Sequence, residues 1–317
     1  MTRFLLKIGL YGILIFVILE VLVRIFHLYD DRPTRFVDSD GINKWIPGQT
    51  GYAVYGNRVQ NKSAYRINKS GFNSYREFEP SNDKIEIALI GDSFIEGFHQ
   101  DYTNSIGKKI ENKIDGIEVY EYGHASNDFA DQLYLISKNQ DHFSKIDHIV
   151  FYLRYGDDLE RNQYKHINRK PLFKTLRKSK LLEYGINIGL MDPIKSAMVS
   201  VRGFAGSREK KDSDRKQETT KVDSAQLRQD NFDHLIERYN FDIHKSVILL
   251  DSRETPDSFL AHLQTRAITI IDFANAFEQA GGYRKTTLIY DQHWNNFGRE
   301  IIAGEIYKLI QRKHSLQ

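Results

Sequence analysis

Apolar stretches recur along the chain and alternate with segments of helical periodicity. Five strands are predicted, at residues 85–90, 117–122, 148–153, 246–250 and 268–272. The first is continuously apolar from Ile87 to Ile90, which is typical of a central strand covered on both faces. Helices are predicted at about 94–114, around Leu133, and at 297–312. Strands that alternate with helices in this way predict a parallel sheet.

An apolar segment from Phe4 to Phe26 predicts a membrane anchor at residues 1–28. Lys7 and Arg24 lie near its ends, where their charges would reach the lipid headgroups, and Glu20 is spaced to pair with Arg24 on one helical face. A cleaved signal peptide is the alternative. Bulky and charged residues follow the apolar run, however, and this favours an uncleaved anchor. Basic residues flank both sides, so charge does not give the orientation.

The rest of the chain divides by composition. Residues 29–81 are rich in Gly, Asn, Tyr and Arg and predict a lead-in segment of short strands and turns. Residues 82–317 form the predicted α/β domain, with a polar and basic insertion at about 159–245 that is too long for an ordinary connection. Within this insertion, residues 166–182 have the pattern of a basic amphipathic helix. Its basic face would contact anionic lipid or anionic glycan, or would simply be exposed to solvent. Residues 207–221 are almost entirely polar and predict a loop.

Composition excludes several kinds of protein. The chain has 317 residues, 40% of them hydrophobic, which is enough to bury one α/β core with insertions. A net charge of +3, without a basic patch interleaved with stacking aromatic residues, argues against nucleic-acid binding. The absence of cysteine excludes disulfides, thiolate catalysis and cysteine-bound zinc.

Three residues have the chemistry of a catalytic triad. Ser93 ends the first predicted strand, where the free amides at the start of a helix would stabilise an oxyanion. A serine needs a base, and Asp291 and His293 precede the last predicted helix. Parallel topology would bring them together at the carboxyl ends of the strands. Each motif also has a purely structural interpretation. Ser93 would then belong to a turn that caps a helix, and His293 would be a packed histidine where the last helix begins.

These motifs resemble those of the SGNH, or GDSL-like, hydrolase superfamily. Gly91-Asp92-Ser93-Phe94 resembles its nucleophile block, residues 65–73 are similar to the lead-in of its membrane-anchored members, and Asp291-Gln292-His293-Trp294-Asn295 resembles the Asp-x-His block of members that modify bacterial exopolysaccharides. The resemblance covers Tyr65 to Leu309 apart from the insertion.

The resemblance implies a three-layer α/β/α fold with a five-stranded, parallel, flavodoxin-like sheet. It also implies an acetylesterase or O-acetyltransferase that needs no cofactor and acts on a cell-surface or exported polysaccharide. The domain would then be extracytoplasmic, and a membrane protein that transports acyl groups would be its partner.

The resemblance also assigns roles in the site. Ser93 would be the nucleophile, His293 the base and Asp291 the residue that orients the imidazole. The oxyanion hole would use the backbone N–H groups of Ser93 and Ser126, with Asp157 at the position of a family asparagine. An ionised carboxylate cannot donate to an oxyanion and would repel it. The resemblance therefore implies one of three things: Asp157 is protonated, the alignment at this position is wrong, or the enzyme is weak or inactive. The alternative is that Asp157 and Asp158 form a polar turn or helix cap after the strand.

The remaining candidates leave the function open. Trp294 would either contact substrate by stacking on a sugar ring or belong to the core. His99 and His124 have no partner at metal-ligand spacing, so we expect structural or surface roles for them and no metal site. Two functions stay open: acyl-ester chemistry on a glycan, and a catalytically inactive, membrane-anchored module of the same fold that binds glycan or an assembly partner.

Overall fold

The computed structural model describes residues 1–55, 59–81, 83–166, 179–190 and 217–314. The chain forms two compact units. The first unit contains Met1–Arg32, Tyr52–Lys62 and Asn168–Arg215, and the second contains Pro33–Gly51, Ser63–Ile167 and Lys216–Gln317.

The described elements follow one another along the chain. The strands are β1 (Arg35–Val37), β2 (Asn43–Trp45), β3 (Thr50–Tyr55), β4 (Asn61–Arg66), β5 (Ile85–Gly91), β6 (Ile117–Gly123), β7 (His148–Tyr152), β8 (Ser246–Leu250) and β9 (Thr269–Asp272). The helices are α1 (Thr2–Ile25), α2 (Ser93–Glu96), α3 (Ile106–Glu111), α4 (Phe129–Lys138), α5 (Gln140–Phe143), α6 (Tyr155–Asp158), α7 (Lys180–Asn187), α8 (Gln217–Arg238), α9 (Asp257–Thr265), α10 (Ala274–Gln279), α11 (Tyr283–Thr286) and α12 (Asn296–His314).

A five-stranded sheet with the order β6-β5-β7-β8-β9 forms the centre of the second unit. Every neighbouring pair in it is parallel. This is the flavodoxin-like strand order, and it confirms the predicted α/β fold class. The order places β5 between β6 and β7, so the carboxyl end of β5 lies where the direction of strand progression reverses, which is the usual ligand site of such sheets.

Helices cover both faces of the sheet. Side chains alternate along β5: Ala88 and Ile90 belong to a core cluster with residues of α4, α8 and α9, whereas Ile87 and Leu89 belong to a second cluster with residues of α3, α10 and α12. Burial on both faces explains why this strand is continuously apolar. The last helix buries Ile302, as its periodicity predicts.

The first unit contains α1, a 24-residue helix that is long and apolar enough to cross a membrane. Arg24 pairs with Glu20 at 2.7 Å, as their spacing predicts. Glu20 also accepts the backbone N–H groups of Lys180 and Leu181 at 3.0 and 2.9 Å, so it caps the start of α7. The one acidic residue of the apolar segment is therefore a structural cap.

The predicted continuous helix at 94–114 is wrong. The chain forms the single turn α2, a 3₁₀ turn at Tyr102–Asn104, and then α3. Gly97 ends α2 in the left-handed region with a φ of 77°, and Ser105 begins α3 by accepting the Lys108 N–H at 3.2 Å. The apolar periodicity continues through this break because both helices pack on the same core cluster.

The insertion is only partly described. The predicted basic amphipathic helix at 166–182 lies largely outside the described residues, as do residues 207–216 of the predicted loop. The loop prediction is wrong from Gln217 onward, because α8 begins there and buries Phe232 and Leu235 on the sheet. The short strands predicted within residues 29–81 are present as β1 to β4.

Candidate active site

Ser93 is the first residue of α2, and Asp92 alone separates it from the end of the central strand β5. Asp92 caps this helix by accepting the Phe94 N–H at 2.9 Å. Asp92 is buried, which raises the pKa of its carboxyl, and the hydrogen bond from Phe94 and the charge of Arg154 act against this rise. The hydroxyl of Ser93 stays half-buried at the carboxyl end of the sheet.

The structure brings Ser93, His293 and Asp291 together. The Ser93 Oγ lies 2.7 Å from Nε2 of His293, and Nδ1 of His293 lies 2.5 Å from Oδ1 of Asp291. A carboxylate only accepts hydrogen bonds, so Nδ1 carries the proton and Nε2 is free to accept the serine hydroxyl proton. This is the arrangement of a Ser-His-Asp triad.

A short antiparallel contact holds the loop that carries Asp291 and His293. Thr287 and Trp294 form a β-bridge, and the Asn295 side chain donates to the carbonyl oxygens of Lys285 and Thr287 at 2.7 and 3.0 Å. Asn295 also accepts the Gly298 N–H at 2.9 Å and so caps the start of α12. The asparagine of the Asp-x-His-Trp-Asn motif therefore fixes the loop to the last helix.

Asp291 accepts three N–H groups among the described residues. They are the backbone N–H of His293 at 2.6 Å, its Nδ1–H, and Nε2–H of His99, whose nitrogen lies 3.2 Å from Oδ2. Burial alone would raise the pKa of Asp291, but these hydrogen bonds hold it well below its ordinary value. Asp291 is therefore ionised throughout the neutral range.

Sequence reasoning missed His99, which it treated as structural or surface. His99 is 3% exposed and stacks on the His293 ring, with 3.8 Å between ring centroids and 20° between planes. Its position in the loop after Gly97 gave no signal, because its partners are almost two hundred residues away in the sequence. His124, by contrast, is buried against the Trp45 ring with 5.0 Å between centroids, so of the two roles expected for it the structure shows the structural one and not the surface one.

His99, Asp291 and His293 also have the atom types of a metal site. Their ligand atoms lie within 4.8 Å of one another. A cation bound there would compete for the same nitrogen and oxygen atoms that the hydrogen bonds to Asp291 and Ser93 use. The hydrogen bonds from Ser93 through His293 to Asp291 already use these atoms, so the geometry favours proton transfer among these side chains over a bound metal ion.

Two backbone N–H groups are available for an oxyanion. Ser126 has a φ of 72°, the left-handed conformation that favours glycine. In the described part of the chain, no hydrogen bond uses the backbone N–H of Ser93 or Ser126. Both groups lie beyond the carboxyl ends of adjacent strands, β5 and β6.

Asp157 lies in the first turn of α6, and its carboxylate pairs with the guanidinium of Arg154. Its side chain is 60% exposed. The helix-capping contact expected at this turn is made by the next residue, Asp158, which accepts the Arg154 N–H at 2.8 Å. Arg154 also lies 3.7 Å from Asp92, so one cation connects Asp157 to the residue before the serine.

Trp294 does not reach the surface. Its side chain is 1% exposed and packs edge-on against Phe94, Tyr152 and Phe273, with 4.9 to 5.5 Å between ring centroids. Of the two alternatives for Trp294, the structure therefore supports the core residue and not the sugar contact. The indole instead supports Phe94 and so the helix that carries Ser93.

A buried cation lies beneath α2. Arg299 is 1% exposed, and its Nη2 lies 3.4 Å from the carbonyl oxygen of Phe94. Burial lowers the pKa of Arg299 to about 10, and the negative charge of the buried Glu121 opposes this effect. The sequence did not identify Arg299 or Glu121 as candidate site residues, because a single charged residue in a helix or strand gives no sign that it is buried.

Comparison with known proteins gives matches among solved structures alone. No protein-family model and no curated protein matches the chain. The lipase/acylhydrolase from Enterococcus faecalis is 13% identical, with a TM-score of 0.40 over 72% of this chain and 96% of that one. A member of the lipolytic protein G-D-S-L family from Veillonella parvula is 15% identical, with a TM-score of 0.39 over 72% of this chain and 99% of that one.

The first of these two structures is named a lipase/acylhydrolase, and the second a lipolytic protein of the G-D-S-L family.

Gly123→Ala should disrupt the site, because a Cβ at this position would lie 2.0 Å from the backbone nitrogen of Glu96. We expect the free energy of unfolding of the detergent-solubilised chain to fall by about 3 kcal/mol in urea titrations. Gly156→Ala is the matched control, because no atom lies within 4 Å of its added Cβ. Equal stability of the two variants would contradict the close approach.

Proposed function

We propose that this chain is a serine-dependent acyl-ester enzyme, an acetylesterase or O-acetyltransferase, that acts on a cell-surface or exported polysaccharide. One observation carries the proposal: the hydrogen-bond chain from the Ser93 hydroxyl through His293 to Asp291. A serine hydroxyl that contacts a neutral imidazole, itself oriented by a carboxylate, is an activated nucleophile.

The residues would act in sequence. Ser93 Oγ attacks the ester carbonyl carbon while its proton moves to Nε2 of His293, and Asp291 stabilises the resulting imidazolium. The N–H groups of Ser93 and Ser126 accommodate the negative oxygen. The alcohol leaves with the proton from His293. Attack on the acyl-enzyme by water completes hydrolysis, whereas attack by a sugar hydroxyl completes transfer.

The glycan substrate and the membrane setting follow from other observations. The polysaccharide follows from the resemblance of the Asp291 to Asn295 block to proteins that modify exopolysaccharides. The length and exposed apolar side chains of α1 support an N-terminal anchor. We place the α/β domain on the extracytoplasmic side, where an exported glycan is accessible and where a membrane protein that transports acyl groups would supply a transferase.

A catalytically inactive module of the same fold, binding glycan or an assembly partner, is the second candidate. The contact between Asp157 and Arg154 favours it, because the resemblance predicts an amide donor at Asp157 and a carboxylate cannot replace one. The choice between the two functions therefore depends on whether Ser93 is reactive.

Labelling with a fluorophosphonate probe tests the reactivity of Ser93. We expect the full chain in detergent to be labelled, and Ser93→Ala and His293→Ala each to lose labelling by a factor of about 1,000 or more. Ser252→Ala, at a serine outside the site, is the control and should label like the wild type. A well-folded wild type that is not labelled would favour the inactive module.

Asp157→Asn tests the oxyanion position. If Asp157 occupies it, the amide supplies a donor and removes a repelling charge, and kcat for p-nitrophenyl acetate should rise about 10-fold or more. Asp157→Ala removes the same charge without adding a donor, so its kcat should rise less. An unchanged or lower kcat in Asp157→Asn would show that this carboxylate does not face the oxyanion.

Membrane fractionation tests the anchor. Cells opened without detergent should retain the full-length chain in the membrane pellet, and high salt should not release it, because apolar side chains and not charges would hold α1 in the bilayer. A chain found soluble and shortened at its N-terminus would support a cleaved signal peptide instead.

A further inference from the structure

One buried histidine next to Ser93 has no role in the proposed reaction. His99 lies beyond the end of α2, donates its Nε2–H to Oδ2 of Asp291 and stacks on His293. We propose that His99 is a positioning residue, which fixes Asp291 through the carboxylate oxygen that His293 does not contact and fixes His293 by ring stacking. This inference rests on the proposed function, because it concerns the same triad.

The backbone around His99 is itself held in place. Gly97 turns the chain out of α2, and the Gln100 N–H returns to the Gly97 carbonyl at 3.2 Å. The carbonyl of Phe98 accepts the Ser63 hydroxyl, and the Phe98 ring packs edge-on against Trp45 with 5.6 Å between centroids. His99 therefore presents its ring from a rigid turn and not from a loose loop.

His99 is suited to be a donor and not a base. Burial lowers the pKa of His99 to about 4, and the hydrogen bond to Asp291 only partly opposes this effect. The imidazole is thus neutral near pH 7, and its proton must be on Nε2 because the carboxylate can only accept. A neutral donor holds Asp291 without placing a second positive charge beside the imidazolium that forms on His293.

The two contacts restrict different motions. Asp291 receives the backbone N–H and Nδ1–H of His293 on Oδ1, and His99 is the donor to Oδ2 among the described residues. Without the hydrogen bond from His99, the Asp291 carboxylate could rotate about its side-chain bonds. The His293 ring lies between His99 and Phe94, with 3.8 and 4.5 Å between ring centroids, so both of its faces are packed. Together these contacts fix the direction in which Nε2 points at Ser93.

Two variants separate the hydrogen bond from the stacking. His99→Phe keeps an aromatic ring in the buried space but removes the donor, whereas the side-chain nitrogen of His99→Gln lies near the former Nε2 and keeps the donor. With p-nitrophenyl acetate and the full chain in detergent, we expect His99→Phe to lower kcat about 10- to 100-fold with little change in KM. His99→Gln should recover most of that loss.

A spectroscopic measurement separates positioning from stability. In protein labelled with ¹⁵N-histidine, the wild type should show His99 as a neutral ring protonated at Nε2, and a downfield proton for the bond between His293 and Asp291. His99→Phe should shift that downfield proton or broaden it, and His99→Gln should retain it. Rates are expressed per site titrated by the fluorophosphonate, so a loss of folded protein alone would not lower kcat.

Each outcome decides the inference. Equal kcat in His99→Phe and the wild type, or a His99 that is cationic or protonated only at Nδ1, would overturn it. If His99→Phe fails to fold, His99→Gln and the wild-type spectrum still decide. If the wild type is neither labelled nor active, the proposed function fails and not this inference. The effect of the His99 variants on the downfield proton then shows by itself whether His99 positions Asp291 and His293.

Discussion

At the carboxyl ends of β5 and β6 the helix α2 lies so close to the strands that neither of two paired positions has room for a side chain. Gly91 and Gly123 are partners in the sheet register. A Cβ on Gly91 would lie 2.6 Å from Ile95, and one on Gly123 would lie 2.0 Å from the backbone of Glu96. Because α2 lies directly on this pair of strand ends, main-chain contacts fix the position of Ser93, and the other parts of the site are arranged around a serine that is already in place.

The groups that surround Ser93 are held by buried polar contacts. Trp45 donates its indole N–H to Glu96 at 2.8 Å inside the structure, which ties the lead-in segment to α2. Arg299 supports the same helix from below through the Phe94 carbonyl. Burying a charged group costs free energy unless polar partners compensate for it. Because Glu96 has its partner in the lead-in segment and Arg299 comes from the last helix, the position of α2 depends on both of these segments. The site is thus a product of the entire α/β unit and not of the Gly-Asp-Ser motif alone.

The sequence predicts the sheet well and the details around it less well. Apolar runs predict strands such as β5, because a strand covered on both faces is mostly apolar, and the alternating residues at 117–122 predict β6. The meeting of Ser93 and His293 also follows, since parallel strands place their carboxyl ends together. The break at Gly97, the burial of Trp294 and the position of His99 do not follow. Each depends on contacts between residues far apart in the chain, which leave no local period to detect.

The distance along the chain between Ser93 and His293 has a consequence for biogenesis. The Ser93 hydroxyl and the His293 imidazole are 200 residues apart in sequence. Contacts of such long range form late, after the loop between them has been closed at an entropic cost. The serine is synthesised early, but it has no base beside it until α12 has docked. A nascent chain that is still emerging from the ribosome therefore carries an ordinary serine hydroxyl, and the hydrogen bond that would activate it forms only on completion of the fold.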